Sequence, residues 1–338
     1  MTDRDRALAA LTGAPTPAPA LVLAPMATLT HAGFRILVEE YGGCDLYFSE
    51  MISAEALIGR TQYEPYYLMD EPDPGRLIFQ LVGYSEDRLC EAALELSRTA
   101  AVGIDVNMGC SAPHIVRKGG GIAWMTDTER SVRLVERLRK LAPQKSLSVK
   151  LRLGSEDDPE ALLAFARNLE SAGVDFVTLH PKRRREGSLR TARWSFVALL
   201  REHLKIPVIG NGGVKDWTTL QSRLSQAGSG PVMIGRAAVR APWIFSHLRR
   251  AAAGQAGEYR INLRETAQRF FALLEEYQPR DFWPTRARRF VPYLLENVKF
   301  GHSIAARLAQ MNPYDQLRRE LFAYFDEHPH AEQHVEST

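Results

Sequence analysis

Eight short apolar runs, spaced by stretches of helical periodicity, dominate the chain between Leu21 and Ala238. They are LVLAPMA (21–27), CDLYFSEMI (44–52), LIFQLVG (77–83), GIDVNMGC (103–110), SLSVKLRLG (146–154), DFVTLHPK (175–182), PVIGNGG (207–213) and PVMIGRAA (231–238). The stretches between them, such as SEDRLCEAALELSRTAA and TERSVRLVERLRKLA, place apolar residues three and four apart, with Leu134, Leu138 and Leu141 on one face of the second. Strands that alternate with helices pair in parallel, because each crossover helix returns the chain to start the next strand in the same direction. Eight such units over 21–243 predict an α/β fold, a closed (β/α)8 TIM barrel, for which ~250 residues is the usual size.

From residue 244 the strand signals stop. Amphipathic helical patterns with breaks near Gly254–Gly257, Gln278–Pro284 and Met311–Pro313 predict a separate small helical bundle over 244–328. The Ala/Pro-rich stretch 1–20 reads as a loose lead-in, and 329–338 as a polar, frayed tail. No apolar run approaches the ~18 residues of a membrane span, and the N-terminus lacks the apolar core of an export signal. The expectation is a soluble, cytoplasmic monomer with no membrane partner. Three cysteines are too few and too scattered for a disulfide framework or a metal knuckle, and an odd count suits a reducing compartment. Cys44 and Cys90 read as small core residues.

The unusual residues cluster at the C-terminal ends of the strands. Pro25 and Met26 follow the first, Gln80 lies in the third, Asn107 and Cys110 end the fourth, and Lys150 and Arg152 end the fifth. His180 ends the sixth, Asn211, Gly212 and Gly213 the seventh, Gly235 and Arg236 the eighth. In a barrel that rim is where active sites are built. Glycines after strands seven and eight let a phosphate approach backbone N–H groups, with Arg236 as a charged clamp. A sugar phosphate would use that cradle as well as a nucleotide would. A flavin mononucleotide accounts for more of the rim, because its ring needs hydrogen bonds at the polar edge and a cation near N1. Gln80, Lys150, His180 and the turn at Ala24–Ala27 supply those roles, and a buried lysine such as Lys150 wants an anion.

Net charge is only +3, but its distribution is uneven. Six Lys/Arg face one acid between Lys182 and Arg193, and eight face three acids between Arg280 and Arg319. With Phe282, Trp283, Tyr293 and Phe300 interleaved, the second cluster points to a polyanionic partner, with Arg286, Arg288 and Arg289 as its candidate contacts. KRRRE, on the rim after strand six, reads equally well as a solvated loop.

LAPMATLTH, FQLVG, DVNMGCSAPHIVRKGGGIAWM, VKLRLG, TLHPK, IGNGGV and MIGRAA together resemble the tRNA-dihydrouridine synthase family, and ENVKFGHSIAARL resembles the helical domain of its bacterial branch. The resemblance runs in order from about residue 20 to about 325. It implies an FMN-bound barrel that takes electrons from NADPH and reduces the 5,6 double bond of a uridine in tRNA, in the D-loop, with a helical domain holding the RNA. It also implies that Cys110 donates the proton to C5, that Asn107 binds the uracil edge with Arg152 beside it, and that Gly119–Gly121 let the loop move and approach RNA. Five positions depart from the family pattern: Ser111 stands in place of proline, Pro181 and Lys182 in place of Gly-Arg, Gly213 in place of aspartate, and His31 where aspartate is frequent. Two other functions remain open: an FMN barrel acting on a small molecule such as a pyrimidine, and an RNA-binding module on an inactive barrel.

Overall fold

The computed structural model describes residues 2–12, 18–184, 186, 191–255 and 257–337. All eight expected strands form: β1 (Leu21–Leu23), β2 (Leu46–Ser53), β3 (Leu77–Val82), β4 (Gly103–Met108), β5 (Ser146–Leu151), β6 (Phe176–Leu179), β7 (Val208–Asn211) and β8 (Val232–Ile234). They close in sequence order into a parallel barrel, with Val22 of β1 in register with Met233 of β8. Because side chains alternate along a strand, Val22, Phe48, Ile78, Phe176, Ile209 and Met233 form the interior cluster, while Leu23, Phe79 and Val149 join the larger apolar layer.

The lead-in is not loose. Asp3–Thr12 forms a helix whose Ala7 and Leu11 join the interior cluster. Lys145 Nζ donates to Asp3 at 2.7 Å and Arg4 pairs with Asp175 at 2.5 Å. The physical reason is the barrel's open bottom, whose apolar lining would otherwise meet water; an i, i+4 apolar pair closes it. Along Thr128–Leu141, Leu134 and Leu138 are buried as expected, but Leu141 is 38% exposed, because the stripe runs off the sheet at the last turn.

The part after residue 244 is mainly helical, with breaks where the sequence places them: helices Ile244–Ala252, Leu263–Tyr277, Trp283–Leu295, His302–Ala309 and Tyr314–Glu327. It is not separate, however. Leu263–Tyr277 packs directly on the barrel helix Ala32–Glu40, where a Cβ on Gly33 would lie 2.7 Å from the Leu273 carbonyl oxygen. Phe270 stacks on Phe290 at 3.7 Å, and Phe290 meets Phe34 edge-on at 6.1 Å. Each such pair adds roughly 0.5–1.5 kcal/mol beyond simple burial, and a single apolar core runs through both parts. Nor is the tail frayed. Gln333–Ser337 (β10) pairs antiparallel with Glu258–Asn262 (β9), and Glu336 accepts from Trp243 Nε1 at 2.9 Å. Two edge strands so far apart in sequence carry no hairpin signal, and only the returning chain brings them together.

One irregularity in the barrel bears on the site. Between Phe48 and Met51 the register of β2 on β3 shifts. A bulge of this kind moves the following side chains to the opposite face. Met51 thereby lines the barrel mouth, and Glu50 meets the helical part instead.

Candidate active site

The mouth of the barrel is a cavity of about 520 Å³. It is lined by Pro25, Met26, Gln80, Asn107, Cys110, Lys150, Arg152, His180, Asn211, Gly212, Gly213, Gly235 and Arg236, so thirteen of the sixteen residues singled out in the sequence converge there. Met51, Lys215 and Arg240 add to its wall, and Tyr293 and Glu296 reach it from helix Trp283–Leu295 and its C-cap.

Cys110 is held from both sides. Its N–H donates to Asn107 Oδ1 at 2.8 Å, and that oxygen also accepts from Gly109 at 3.2 Å. The Cys110 carbonyl accepts from Ile122 at 2.9 Å. The glycines do something other than loosen this loop. Gly121 is at φ +58°, where a Cβ would collide with the Cys110 carbonyl, and a Cβ on Gly120 would lie 2.8 Å from the Gly83 carbonyl oxygen. Both are buried, so they let one backbone press against another and seat the thiol.

Asn107 is engaged at every polar atom: its amide nitrogen donates to Gln80 Oε1 at 2.9 Å and to Met51 Sδ at 3.1 Å. Thioether sulfur is a weak acceptor, so the second N–H is the one a ligand could take over. Gln80 Nε2 in turn donates to Asp105 Oδ2 at 2.7 Å, and Asp105 Oδ1 accepts from Ser148 at 2.6 Å. Burial pushes the Asp105 carboxyl up to about 6.

The opposite wall is cationic. Among the described residues Lys150 and Arg236 make no side-chain hydrogen bond or ion pair, and Glu296 is the only carboxylate on the wall. Burial, and then Arg152, bring Lys150 down to about 8, while Asp105 and Cys110 pull the other way. Arg152 is also lowered, mainly by burial, and donates to the Arg183 carbonyl at 3.3 Å. His180 falls to about 2 through burial and the fields of Lys150, Arg152, Lys182 and Arg236, so its imidazole is neutral. Gly212 and Gly213 sit at φ +119° and +78°, where a side chain is strained, and a Cβ on Gly235 would meet Met26 Sδ at 3.1 Å. Asn211 Nδ2 donates to the Met233 carbonyl at 2.9 Å and braces β7 on β8.

The three arginines of the helical part separate. Arg286 is buried at 2% exposure and pairs with Glu50 at 2.8 Å, which corrects its assignment as a surface contact. It faces inward because the β2 bulge puts Glu50 on that side, and Glu50 also accepts from Thr28 N–H at 2.7 Å. Arg288 is partly buried and donates to Asn312 at 2.6 Å. Arg289 is exposed and reaches Thr28 Oγ1 at 3.0 Å, on the rim loop that carries Pro25 and Met26. Of the rim cluster, Arg183 and Arg193 pair with Asp157 and Glu186; Arg185 and 187–190 lie outside the described residues. His31 caps helix Ala32–Glu40, Nδ1 accepting from Phe34 N–H at 3.3 Å. Burial and the nearby Arg286 lower its pKa well below the ordinary value, which keeps the acceptor lone pair free, so it performs the capping an aspartate would.

Asp105, Glu50 and Glu296 went unmarked in the sequence, and Tyr293 was noted only as an aromatic within the second basic cluster. The first two carried a usable signal, since a carboxylate inside a buried strand is as anomalous as Lys150 is.

The fold and this mouth define a (β/α)8 barrel with a cationic, glycine-walled cavity at the C-terminal rim of its strands. Among solved structures, 2-naphthoyl-CoA reductase in complex with 2-naphthoyl-CoA shares the fold with a TM-score of 0.54 at 11% identity, over 70% of this chain and 50% of that one. Histamine dehydrogenase from Rhizobium sp. 4-9 does so with a TM-score of 0.50 at 12% identity, over 75% and 48%. The chain matches the family model described as dihydrouridine synthase over residues 22–335. It is 34% identical over 231 residues to a probable tRNA-dihydrouridine synthase of Helicobacter pylori, covering 68% of this chain and 70% of the relative. One from Rickettsia prowazekii is 32% identical over 230 residues (68% and 69%), and one from Mycobacterium tuberculosis 28% over 310 residues (88% and 80%). The chain belongs to the dihydrouridine synthase family and is a flavin-dependent oxidoreductase.

Proposed function

We propose that this enzyme reduces the 5,6 double bond of a tRNA uridine, in the D-loop, to dihydrouridine, with FMN in the barrel mouth, NADPH as reductant and Cys110 as proton donor. The observation that carries the proposal is one cavity joining a glycine-walled, cationic cradle to a thiol seated on Asn107. Two features fit FMN. Gly212 and Gly235 leave backbone N–H groups unscreened where a Cβ would crowd His180 and Met26, which suits a phosphate. Lys150 is half-buried in the cavity wall with no acid in hydrogen-bond reach among the described residues, which suits an anionic ring.

When bound, FMN supplies the hydride, drawn from NADPH, that adds to uracil C6. The chain's own residues do the rest. Gly212, Gly213, Gly235 and Arg236 hold the phosphate, while Pro25, Met26 and Gln80 position the ring. Lys150 balances its charge, and neutral His180 offers hydrogen bonds without adding another cation. Cys110 Sγ–H gives its proton to uracil C5 and leaves a thiolate in the wall it shares with Lys150 and Arg152. Asn107 turns the N–H now on Met51 toward the base, which must leave its stack to reach the mouth. Arg288 and Arg289, on the helix whose Tyr293 lines the cavity, contact phosphates.

The test is incubation of the FMN-loaded protein with NADPH and either an unmodified tRNA transcript or free uridine, followed by nucleoside mass spectrometry. Dihydrouridine in the D-loop of the transcript and none from free uridine is the expected result. Turnover of free uridine at an equal rate would make this a small-molecule reductase instead.

A further inference from the structure

Below the mouth runs a chain of hydrogen bonds whose direction is forced at both ends. At one end stand the Gly109 and Cys110 N–H groups, which can only donate, so the Asn107 atom they meet is its oxygen. The Asn107 nitrogen therefore faces Gln80, and the Gln80 atom it meets is oxygen. The Gln80 nitrogen is left to face Asp105, whose ionised carboxylate can only accept. Ser148 donates to the other carboxylate oxygen. Gln80, Asp105 and Ser148 are fully buried and Asn107 is 7% exposed, so water does not set the direction in their place.

We propose that Asp105 is a positioning residue for the reaction: as the terminal acceptor it fixes the orientation of the Gln80 and Asn107 amides and, through Asn107, the seat of Cys110. Without that acceptor the Gln80 N–H is left buried and unpaired, so the side chain shifts to find another partner and withdraws its oxygen from Asn107 Nδ2. The Asn107 amide then loses the contact that fixes its position, and the oxygen that seats the Gly109 and Cys110 N–H groups moves with it. A buried N–H left without an acceptor is costly, enough to move the loop off its seat. Asp105 does not itself line the cavity, so its effect on Cys110 passes through Gln80 and Asn107. The consequence for turnover rests on Cys110 being the proton donor.

Asp105→Asn and Asp105→Val separate this role from a simple need for charge or packing. In the asparagine variant the amide oxygen still accepts from Gln80, and the amide nitrogen donates to the Ser148 hydroxyl, which can reverse. The direction of the chain survives. In the valine variant the acceptor is gone. The measurements are iodoacetamide alkylation of Cys110, hydrogen exchange of the peptide spanning 107–118, and uridine reduction by the FMN-loaded enzyme. Asp105→Asn should match the wild type in alkylation and exchange and keep uridine reduction within severalfold, since it removes the carboxylate's field on Lys150 but not the acceptor. Asp105→Val should alkylate and exchange severalfold faster and lose about 10²-fold in uridine reduction, as misplaced reacting groups do. Should Asp105→Val not fold, Asp105→Ser, whose shorter hydroxyl fixes no direction, takes its place. Equal impairment of the asparagine and valine variants would overturn the proposal, as would unchanged alkylation and exchange in the valine variant. Faster alkylation and exchange with undiminished uridine reduction would uphold the positioning by Asp105 and remove Cys110 as the donor.

Discussion

Lys150→Met tests how the mouth balances binding against stability. Lys150 titrates near 8 instead of the ordinary 10.5. The difference of about 2.5 units means the charged form costs about 3 kcal/mol in the fold at neutral pH. The folded pKa is depressed, so the unfolded chain binds the proton more tightly between about 8 and 10.5. The cost is therefore whole at pH 7, shrinks through that window and vanishes above it. Because part of the side chain meets water in the mouth, a realised value of about 1–3 kcal/mol is expected. Methionine keeps the length of the stem and removes the charge. The flavin-stripped variant should melt roughly 1–4 °C above the flavin-stripped wild type at pH 7, and the gap should close by pH 10.5. FMN affinity, followed by fluorescence quenching, should fall about tenfold or more with the loss of a charge-assisted contact. A flavin-free variant that melts below the wild type, or one that binds FMN equally well, would refute the reasoning.

Cys110→Ala should keep its flavin and accept electrons from NADPH normally, while uridine reduction drops by about 10²–10⁴ as for a lost general acid; flavin loss or normal turnover per flavin would mark the cysteine as structural. Arg286→Met strands the buried Glu50 carboxylate and should cost about 3–5 kcal/mol in urea unfolding, with Glu50→Gln in the same chain restoring much of it. Arg289→Glu should leave stability unchanged but raise KM for tRNA and flatten the salt dependence of binding; an equal loss in NADPH oxidation by the flavin would assign it to the fold. His180, held near 2 against an ordinary 6.5, resists protonation when folded, so stability should decline as pH falls below 6.5, by up to about 2 kcal/mol between pH 6.5 and 5. His180→Gln should flatten that decline, and an identical pH profile in the two proteins would show that the site tolerates imidazolium.

What the sequence by itself determined was periodicity and chemical anomaly. Strand and helix alternation follow from local spacing of apolar residues, so eight strands in a parallel barrel were legible, as were three of the breaks between the later helices. A lysine, histidine, asparagine or cysteine at the end of an apolar run is an anomaly in one dimension, and those residues meet in the mouth because parallel strands all end on the same rim. Tertiary structure alone decided what depends on contact between distant segments. Asp3–Thr12 forms a helix because the barrel bottom needs closing, and Gln333–Ser337 forms a strand because Glu258–Asn262 lies beside it. Arg286 and Arg289 differ by three positions and one charge pattern, yet one is buried on Glu50 and the other reaches the rim, since a bulge in β2 chose the side on which Glu50 stands. Gly119–Gly121 suggested a mobile loop, but a glycine run reports only permitted backbone angles. Whether it loosens a loop or lets two backbones press together is fixed by what packs against it, and here that is Cys110 and Gly83.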